Sequence, residues 1–432
     1  MNLLNNNEFF RSRELYQQIK DTVSTDIALF YKFRMAQFLN RKDSATIYLE
    51  KMITDYPGIF GAETIRAYAT LFDIYAVDLR DYEKGKYTYE RMIQYVSENP
   101  YHTDEKELTL WRKGNEGRLK VLKELVHRPP MEIKRRNAHG SVKIEWDKNP
   151  LSEAKLNGIS QKVIFDTGST IHLIMKKVVA DRLGLKINEQ IEGELNGRKT
   201  PAYLALVDSM EFGNITAYNI PVSIYDYDLT ASDLPDSIRN DSNAIEDFYA
   251  KNDYLLYPVI GLPFLSQIGK FEIDNETKMM TFPNSDHHPD SSKEPNIFIY
   301  DDHLYTRLKL NGKDFTTYLD TGNDEFMAID TSFYEKYANV IPIETTTDKE
   351  PLNVLMFHRA WTNVPYKTVH NPMITFNGKQ IHPSGEENIK IYAIRSMWPA
   401  ECFDGVTGYS LFKRIGKKVL LDLDHMRLEA IE

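Results

Sequence analysis

The tripeptide Asp-Thr-Gly occurs twice in this chain, each time between two short apolar runs. The first copy is Asp166-Thr167-Gly168 and the second is Asp320-Thr321-Gly322. They lie roughly 150 residues apart, about the size of one domain. A single Asp-Thr-Gly would be an ordinary turn sequence, because Asp and Gly favour turns for local reasons. Two copies in one context indicate duplicated halves that each deliver one carboxylate to a shared site.

Four landmarks recur in the same order around the two tripeptides. Asn-Gly pairs predict tight turns between strands, and the apolar runs after them predict the strands that enter each tripeptide. A hydrophobic segment with an embedded glycine and an Ile-Gly-Lys sequence follow later. The landmarks lie at 157–158 and 311–312, at 161–165 and 315–319, at 259–265 and 405–412, and at 268–270 and 415–417.

Residues 1 to about 135 predict a helical domain. Apolar residues recur there at three- and four-residue steps, as in Tyr31, Met35 and Phe38. Two similar segments centred on Met52 and Met92 lie about 40 residues apart, and the region resembles tetratricopeptide-type repeats. Two interpretations stay open for this domain: a helical bundle that supports the rest of the chain, or a docking site for a peptide or a protein partner.

The sequence pattern changes near residue 135. The basic run Lys134-Arg135-Arg136 predicts a solvated linker, and from Ser141 onward apolar residues alternate as in strands. A polar stretch at 283–295, rich in Pro, Ser and Asp, predicts a connector between β lobes at 139–285 and 295–432. The expected fold class is therefore multidomain α + β, with a helical domain followed by two mainly β lobes.

Composition excludes several classes of function. The formal net charge of −10 argues against nucleic acid and anionic membrane surfaces as partners. No apolar stretch reaches the roughly 18–20 residues that span a bilayer. The single cysteine, Cys402, excludes an intramolecular disulfide and a cysteine metal cluster, and His287-His288 lacks a spaced set of further ligands. We therefore expect no metal and no cofactor. The compartment stays open: envelope, periplasm or secreted if a signal peptide was removed, otherwise cytoplasm.

On these motifs, residues 139–432 resemble the aspartic peptidases of the retropepsin and pepsin type. The resemblance implies two β lobes related by a pseudo-twofold axis, with Asp166 and Asp320 as the catalytic pair in the cleft between them. It also implies that the glycine segments at 259–261 and 406–408 pass behind the two catalytic loops. The residues that would support the carboxylates are the rest of those loops: Thr167, Gly168, Ser169, Thr321, Gly322 and Asn323.

Paired carboxylates suit peptide hydrolysis without a metal. Two carboxylates a few ångström apart do not both ionise cheaply, so they share one proton, and one can act as base while the other acts as acid. Glycine permits the close approach of the two loops, and each threonine hydroxyl is placed to bond across to the opposite loop.

The second copy departs from the family pattern. Ser169 fits the pattern, in which a hydroxyl bonds the outer carboxylate oxygen, whereas Asn323 offers a side-chain amide. Asp324 and Glu325 would raise the pKa of Asp320 if they face inward. Thr407 stands where the family has an apolar residue. These differences bear on efficiency and pH optimum more than on the fold.

A substrate-covering hairpin is expected between each tripeptide and the later glycine segment. In the first half, Asn196-Gly197 predicts its turn, and Tyr203 on the following strand is a candidate substrate contact or an ordinary sheet tyrosine. In the second half, the region around 345–361 shows no recognisable turn.

The predicted function is an aspartic endopeptidase that binds an extended polypeptide. The alternative is a catalytically weak or inactive peptide-binding module on the same scaffold. A glycosidase also uses paired carboxylates, but its chemistry does not call for duplicated Asp-Thr-Gly loops.

Overall fold

A computed structural model describes most of the chain in two compact units, residues 1–130 and 131–432. The described residues are 2–79, 81–99, 105–106, 109, 112–113, 116–117, 119–120, 123, 127, 129–136, 140–145, 150–187, 190–195, 198–226, 240–251, 256–283, 293–300, 302–343, 352–356, 359–384, 389–392 and 404–431. Three predictions fall on residues outside this set: the turn at Asn196-Gly197, the cysteine Cys402, and the pair His287-His288.

The first unit is helical from residue 2 to residue 98. Its helices are α1 (Asn2–Asn5), α2 (Phe9–Ile19), α3 (Thr25–Phe38), α4 (Lys42–Asp55), α5 (Pro57–Phe60), α6 (Ala62–Asp73) and α7 (Tyr82–Glu98), with a π-helical turn at Ile74–Asp78. Helix α4 buries Ala45, Leu49, Met52 and Ile53, a spacing that places all four on one face. The helical prediction is confirmed, and the tetratricopeptide-like repeat stays a prediction.

Polar contacts also join the helices of this unit. Arg91 of α7 pairs with Glu50 of α4, with Nη1 and Oε2 2.9 Å apart. The same guanidinium lies 5.4 Å from the ring centres of Tyr68 and Tyr87. Because Met52 and Met92 are both buried, each echoed segment contributes its methionine to the core of the unit.

The second unit is rich in strands, as predicted. Its strands are β1 (Glu132–Arg135), β2 (Ser141–Lys143), β3 (Leu151–Leu156), β4 (Ile159–Asp166), β5 (Leu173–Lys176), β6 (Gln190–Leu195), β7 (Arg198–Phe212), β8 (Ile215–Tyr225), β9 (Val259–Gly261), β10 (Lys270–Asp274), β11 (Met279–Thr281), β12 (Ile297–Tyr300), β13 (His303–Leu310), β14 (Lys313–Asp320), β15 (Met327–Ile329), β16 (Leu352–Met356), β17 (Arg359–Val364), β18 (Tyr366–Thr368), β19 (Ile374–Phe376), β20 (Lys379–Ile381), β21 (Ile389–Tyr392), β22 (Gly405–Gly408), β23 (Lys418–Asp422) and β24 (Arg427–Ala430).

Short helices interrupt the strands of this unit. They are α8 (Lys177–Arg182), α9 (Ser242–Lys251), α10 (Leu262–Ile268), α11 (Thr331–Tyr337) and α12 (Ser410–Ile415). Within the described residues, no helix of either unit combines the length and the apolar character that crossing a bilayer requires.

Six strands of the first half close into a barrel. The sheet runs β8-β5-β9-β4-β3-β7, and β7 pairs back to β8. The second half forms a sheet in the order β18-β21-β15-β22-β14-β13-β19-β20. Buried side chains of β4, β5 and β8 fill the barrel interior, and those of β13, β14 and β15 line the core of the second sheet.

A third sheet joins the two halves. Strand β10 of the first half pairs antiparallel with β23 of the second, with Phe271 opposite Leu421, in the order β2-β11-β10-β23-β24. Beneath this pairing, the ammonium of Lys270 lies 3.8 Å from the carboxylate of Asp422, and both side chains are buried. Because the joining strands belong to one sheet, the two halves form one compact unit.

The basic run at 134–136 is not the solvated linker that the sequence predicted. Lys134 and Arg135 lie in β1, which pairs antiparallel with β8. The Arg135 side chain is half-buried and donates to the carbonyl of Ile268. Strand pairing and a carbonyl acceptor hold these cations on the surface of the barrel, where their charge pattern alone did not indicate a strand.

Candidate active site

The two Asp-Thr-Gly loops occupy equivalent positions in their sheets. Asp166 ends β4, which pairs in parallel with β9, and Asp320 ends β14, which pairs in parallel with β22. The register is the same in both: Asp166 lies opposite Gly261, and Asp320 lies opposite Gly408. Each aspartate therefore lies at the end of its strand, beside a glycine of the hydrophobic segment that the sequence predicted to pass behind it.

The strands that carry the aspartates enter from tight Asn-Gly turns, as the sequence predicts. Asn157 and Gly158 have φ of 49° and 78°, and Asn311 and Gly312 have 48° and 78°. Two positive values in a two-residue connection are typical of the type I′ turn, whose twist matches a hairpin. These turns set the register that brings each aspartate to the end of its strand.

The two loops bond to each other through their threonines. The Thr167 amide donates to Thr321 Oγ1 at 2.9 Å, and the Thr321 amide donates to Thr167 Oγ1 at 3.1 Å. Each hydroxyl in turn donates to a carbonyl of the opposite strand, Thr167 to Leu319 at 2.7 Å and Thr321 to Phe165 at 2.8 Å. Both threonines are buried, so these four bonds form a closed network with no exposed polar atom of its own.

Each loop glycine lies against the carboxylate of the other loop. A Cβ at Gly322 would come within 2.6 Å of Asp166 Cγ, and a Cβ at Gly168 would meet the carboxylate of Asp320. Real Cβ atoms do not approach other atoms so closely. Glycine is therefore required at both positions for the two carboxylates to meet.

The two carboxyl groups are close enough to interact directly and are enclosed by the loops, with part of their surface open to water. Burial raises the pKa of Asp166 above its ordinary value. Burial and then the charge of Asp166 raise the pKa of Asp320 well above its ordinary value. Two adjacent carboxyl groups with raised pKa values hold one proton between them over a wide pH range.

Backbone amides favour the ionised form at both positions. Gly168 donates to Asp166 Oδ1 at 2.7 Å, and amides of Ser169 and Gly322 also approach the Asp166 carboxylate. Gly322 donates to Asp320 Oδ1 at 2.9 Å, and the amide of Asn323 approaches it as well.

Sequence reasoning missed Tyr318. Its hydroxyl donates to the carbonyl of Gly168 at 2.9 Å, across the boundary between the halves. Burial, followed by the charges of Asp320 and Asp166, raises the pKa of Tyr318 well above its ordinary value. The available signal was spacing: residues two apart on a strand lie on one face, so Tyr318 shares the face of Asp320.

Ser169 and Asn323 make local bonds in this structure. The Ser169 hydroxyl donates to the carbonyl of Ile171 at 3.4 Å, and Asn323 Oδ1 accepts the amide of Glu325 at 2.9 Å. Their carbonyls accept equivalent bonds, from the amides of Leu262 at 2.8 Å and Tyr409 at 3.2 Å. Both residues thus shape their loops, and their predicted bonds to the outer carboxylate oxygens stay predictions.

The acidic pair after the second loop is arranged around Glu325. Its Oε1 accepts the ammonium of Lys390 at 2.7 Å and the hydroxyl of Tyr392, both on β21. Burial and then the charge of Glu325 raise the pKa of Tyr392 far above its ordinary value. The negative charge of Glu325 is therefore paired with the ammonium of Lys390. Asp324 is exposed.

Hairpins follow each loop in the position expected of substrate covers. In the first half, β6 pairs with the start of β7, and half-buried Tyr203 lies opposite Gln190. In the second half, β16 and β17 pair to form a hairpin where the sequence showed no turn. Among the residues that the structure describes, no three His, Cys, Asp or Glu side chains cluster in a way that would hold a metal ion.

Comparisons with known proteins gave one family match and several partial structural similarities. A family model described as aspartyl protease matches residues 152–242, a segment that includes the first Asp-Thr-Gly loop. This match supports a protease scaffold for the β-rich unit. The search of curated proteins found no match.

Two solved structures are similar over part of the chain. A retropepsin-like aspartic protease from Rickettsia conorii is 16% identical, with 35% of this chain and 91% of that chain covered and a TM-score of 0.21. EIAV protease complexed with the inhibitor HBY-793 is 14% identical, with 29% and 91% covered and a TM-score of 0.18.

Proposed function

We propose that this protein is an aspartic endopeptidase in which Asp166 and Asp320 activate water for attack on a peptide bond. The observation that carries the proposal is the reciprocal bonding of the two Asp-Thr-Gly loops through Thr167 and Thr321. That network supports the proposal because it holds the two loops, and with them their half-buried carboxyl groups, against each other. The family match at residues 152–242 supports the same reaction class.

The chemistry requires one proton on the pair. The ionised carboxylate takes a proton from water as the water attacks the scissile carbonyl, and the protonated carboxyl donates to the carbonyl oxygen. The raised pKa values of both groups keep the singly protonated pair available at acidic to mildly acidic pH. An extended polypeptide would lie across both halves, beneath the hairpins β6–β7 and β16–β17, and bond through its backbone.

The organisation around this site belongs to the proposal as well. The β lobes at 139–285 and 295–432 are proposed to face each other across the cleft, and the helical domain at 1–135 is proposed to carry tetratricopeptide-like repeats. A docking role for that domain stays a prediction from its sequence.

The decisive experiment replaces each aspartate by its neutral isostere. Asp166→Asn and Asp320→Asn are assayed on a diverse peptide library from acidic to neutral pH, beside wild type. We expect each variant to lose at least about a thousandfold in kcat/KM, because the pair then lacks its base or its shared proton. Asp314→Asn is the matched control, since Asp314 lies on the same strand as Asp320 with an exposed side chain.

Two outcomes would contradict the proposal. Cleavage that survives in both purified variants would show that the pair is not catalytic. Wild-type protein that binds peptides and cleaves none at any pH would identify the inactive binding module instead.

A further inference from the structure

Tyr318 reaches the first catalytic loop from the strand of the second. It precedes Asp320 by two residues on β14, so the two side chains lie on the same face. Its ring is buried, and its hydroxyl donates to the Gly168 carbonyl at 2.9 Å. At the equivalent position of β4 the first half has Ile164, which packs among apolar side chains. The hydroxyl is therefore a contact that only one half makes.

The hydroxyl and the Asp320 carboxyl border the same small space. A Cβ built on Gly168 would meet the Asp320 carboxylate and would lie 2.8 Å from the Tyr318 hydroxyl, so both groups lie against the same glycine. Because the hydroxyl donates its proton to the Gly168 carbonyl, its oxygen is the negative end of a dipole near Asp320. A negative dipole end favours the neutral form of a neighbouring carboxyl group.

Amide donors favour the ionised form of both carboxyl groups. Gly168, Ser169 and Gly322 approach Asp166, and Gly322 and Asn323 approach Asp320, so the difference between the two positions is carried by the phenol of Tyr318. At the position of β4 equivalent to Tyr318, Ile164 supplies no hydroxyl.

We propose that Tyr318 is a positioning residue that anchors the first catalytic loop and keeps the shared proton on Asp320. Asp166 is then the base that activates water, and Asp320 is the acid that protonates the scissile carbonyl. The assignment of these two roles rests on the proposed peptidase function.

Within the part of the chain that the structure describes, four titratable side chains lie close to Tyr318. Asp320 lies on its own strand and Asp166 on the first loop. Tyr305 and His303 lie on the neighbouring strand β13, with ring centres 5.7 Å and 5.1 Å from that of Tyr318.

The test is Tyr318→Phe, which removes the hydroxyl and keeps the ring. We expect kcat to fall about tenfold while KM stays within about twofold, since the loop is loosened and peptide contacts remain. The alkaline limb of the kcat/KM profile should move toward acid by roughly half to one pH unit, because Asp320 loses its proton more easily.

Tyr305→Phe is the matched control. It removes a buried phenol hydroxyl from the adjacent strand without touching the Gly168 carbonyl. The control should keep the wild-type pH profile even if it melts at a lower temperature. Thermal melts of both variants separate a loss of fold from a change at the dyad.

The outcomes distinguish this proposal from the proposed function. Wild-type cleavage with an unchanged or alkaline-shifted limb in Tyr318→Phe would overturn the role of Tyr318 and leave the peptidase standing. Absence of wild-type cleavage at every pH would overturn the peptidase. A carboxyl ¹³C NMR titration tests the location of the proton directly. Asp320 should hold its proton to higher pH in wild type than in Tyr318→Phe. Equal titration of Asp320 in the two proteins would contradict the proposed role of Tyr318.

Discussion

The first and second Asp-Thr-Gly loops have the same backbone arrangement but differ in the side chains that surround them. In both, a strand ends at the aspartate opposite a glycine of a parallel strand, and the threonine bonds to the other loop. Behind the first loop the strands present Val163, Ile164 and Ile260, all buried and apolar. This shared arrangement of strand ends and threonine bonds brings the carboxylates together. The two halves differ in the side chains packed behind the loops.

Behind the second loop the corresponding residues are Thr317, Tyr318 and Thr407. Thr407 Oγ1 donates to the Tyr318 carbonyl at 3.2 Å, and Thr317 Oγ1 donates to Thr407 Oγ1 at 3.3 Å. Buried hydroxyls need hydrogen-bond partners, and here the two bonds link β22 with β14, the strand that carries Asp320. The comparison indicates that the shared backbone arrangement determines the position of the carboxylates, and we propose that the polar residues behind the second loop determine which of them keeps the proton.

The largest effect that tests this comparison is expected from the loop glycines. Gly168→Ala and Gly322→Ala should each reduce kcat/KM at least about a hundredfold and destabilise the β-rich unit by about 1–3 kcal/mol, because the new methyl collides with the opposite carboxylate. Gly168→Ala should be the worse of the two, since its methyl also meets the Tyr318 hydroxyl. Steady-state kinetics and urea unfolding measure both quantities.

The control for the glycine pair is Gly58→Ala in the helical unit, where an added Cβ has no atom within 4 Å. It should leave both quantities essentially unchanged. Wild-type activity in Gly322→Ala would show that the loops do not need to approach so closely. It would contradict the conclusion that the shared backbone arrangement brings the carboxylates together.

Much of the shared backbone arrangement could be predicted from the sequence, because it is encoded locally. Two Asn-Gly pairs specified the hairpins, and apolar runs specified the strands that enter the aspartates. The bonding of each threonine to the opposite loop was expected from the resemblance to aspartic peptidases, and the structure shows it. Duplication made these local signals strong, since each half supplied a check on the other.

The surroundings of the site could not be predicted, because they depend on partners far along the chain. Tyr318 in an apolar strand has the pattern of a core residue, and its acceptor Gly168 belongs to the other half. The compensation of Glu325 by Lys390 joins residues on separate strands. The hairpin β16–β17 lacks the Asn-Gly signal of its counterpart, so only strand pairing reveals it.

A smaller effect is expected on stability, with a defined pH dependence. The pKa values of Asp166 and Asp320 are raised in the folded chain, so the folded state binds more protons than the unfolded state between the two pKa values. Their contribution to the free energy of unfolding is thus full below the unfolded pKa of about 4 and is lost as pH rises through the folded pKa.

Neutral replacements should therefore stabilise the protein at pH 7 while they abolish activity. Asp320→Asn should gain at least about 1 kcal/mol at pH 7 relative to wild type, and Asp166→Asn should gain less, since the pKa of Asp320 is raised further. Near pH 3 both variants should approach wild type. Urea unfolding at the two pH values measures this, and a loss of stability at pH 7 in Asp320→Asn would contradict the raised pKa.

The smallest effect is expected when the threonines behind the second loop are replaced by apolar residues like those behind the first loop. Thr407→Val keeps the shape of the side chain and removes the hydroxyl that bonds the Tyr318 carbonyl, so the β-rich unit should lose about 0.5–1.5 kcal/mol. Thr317→Val should cost less in the Thr407→Val background than alone, because the two hydroxyls bond each other. Activity should change little, since neither hydroxyl contacts the carboxyl groups in the bonds described.

Urea unfolding of the two single variants and the double variant measures the coupling. Strictly additive costs would mean that the two threonines do not act as one network, and the polar contribution behind the second loop would then reduce to Tyr318 alone.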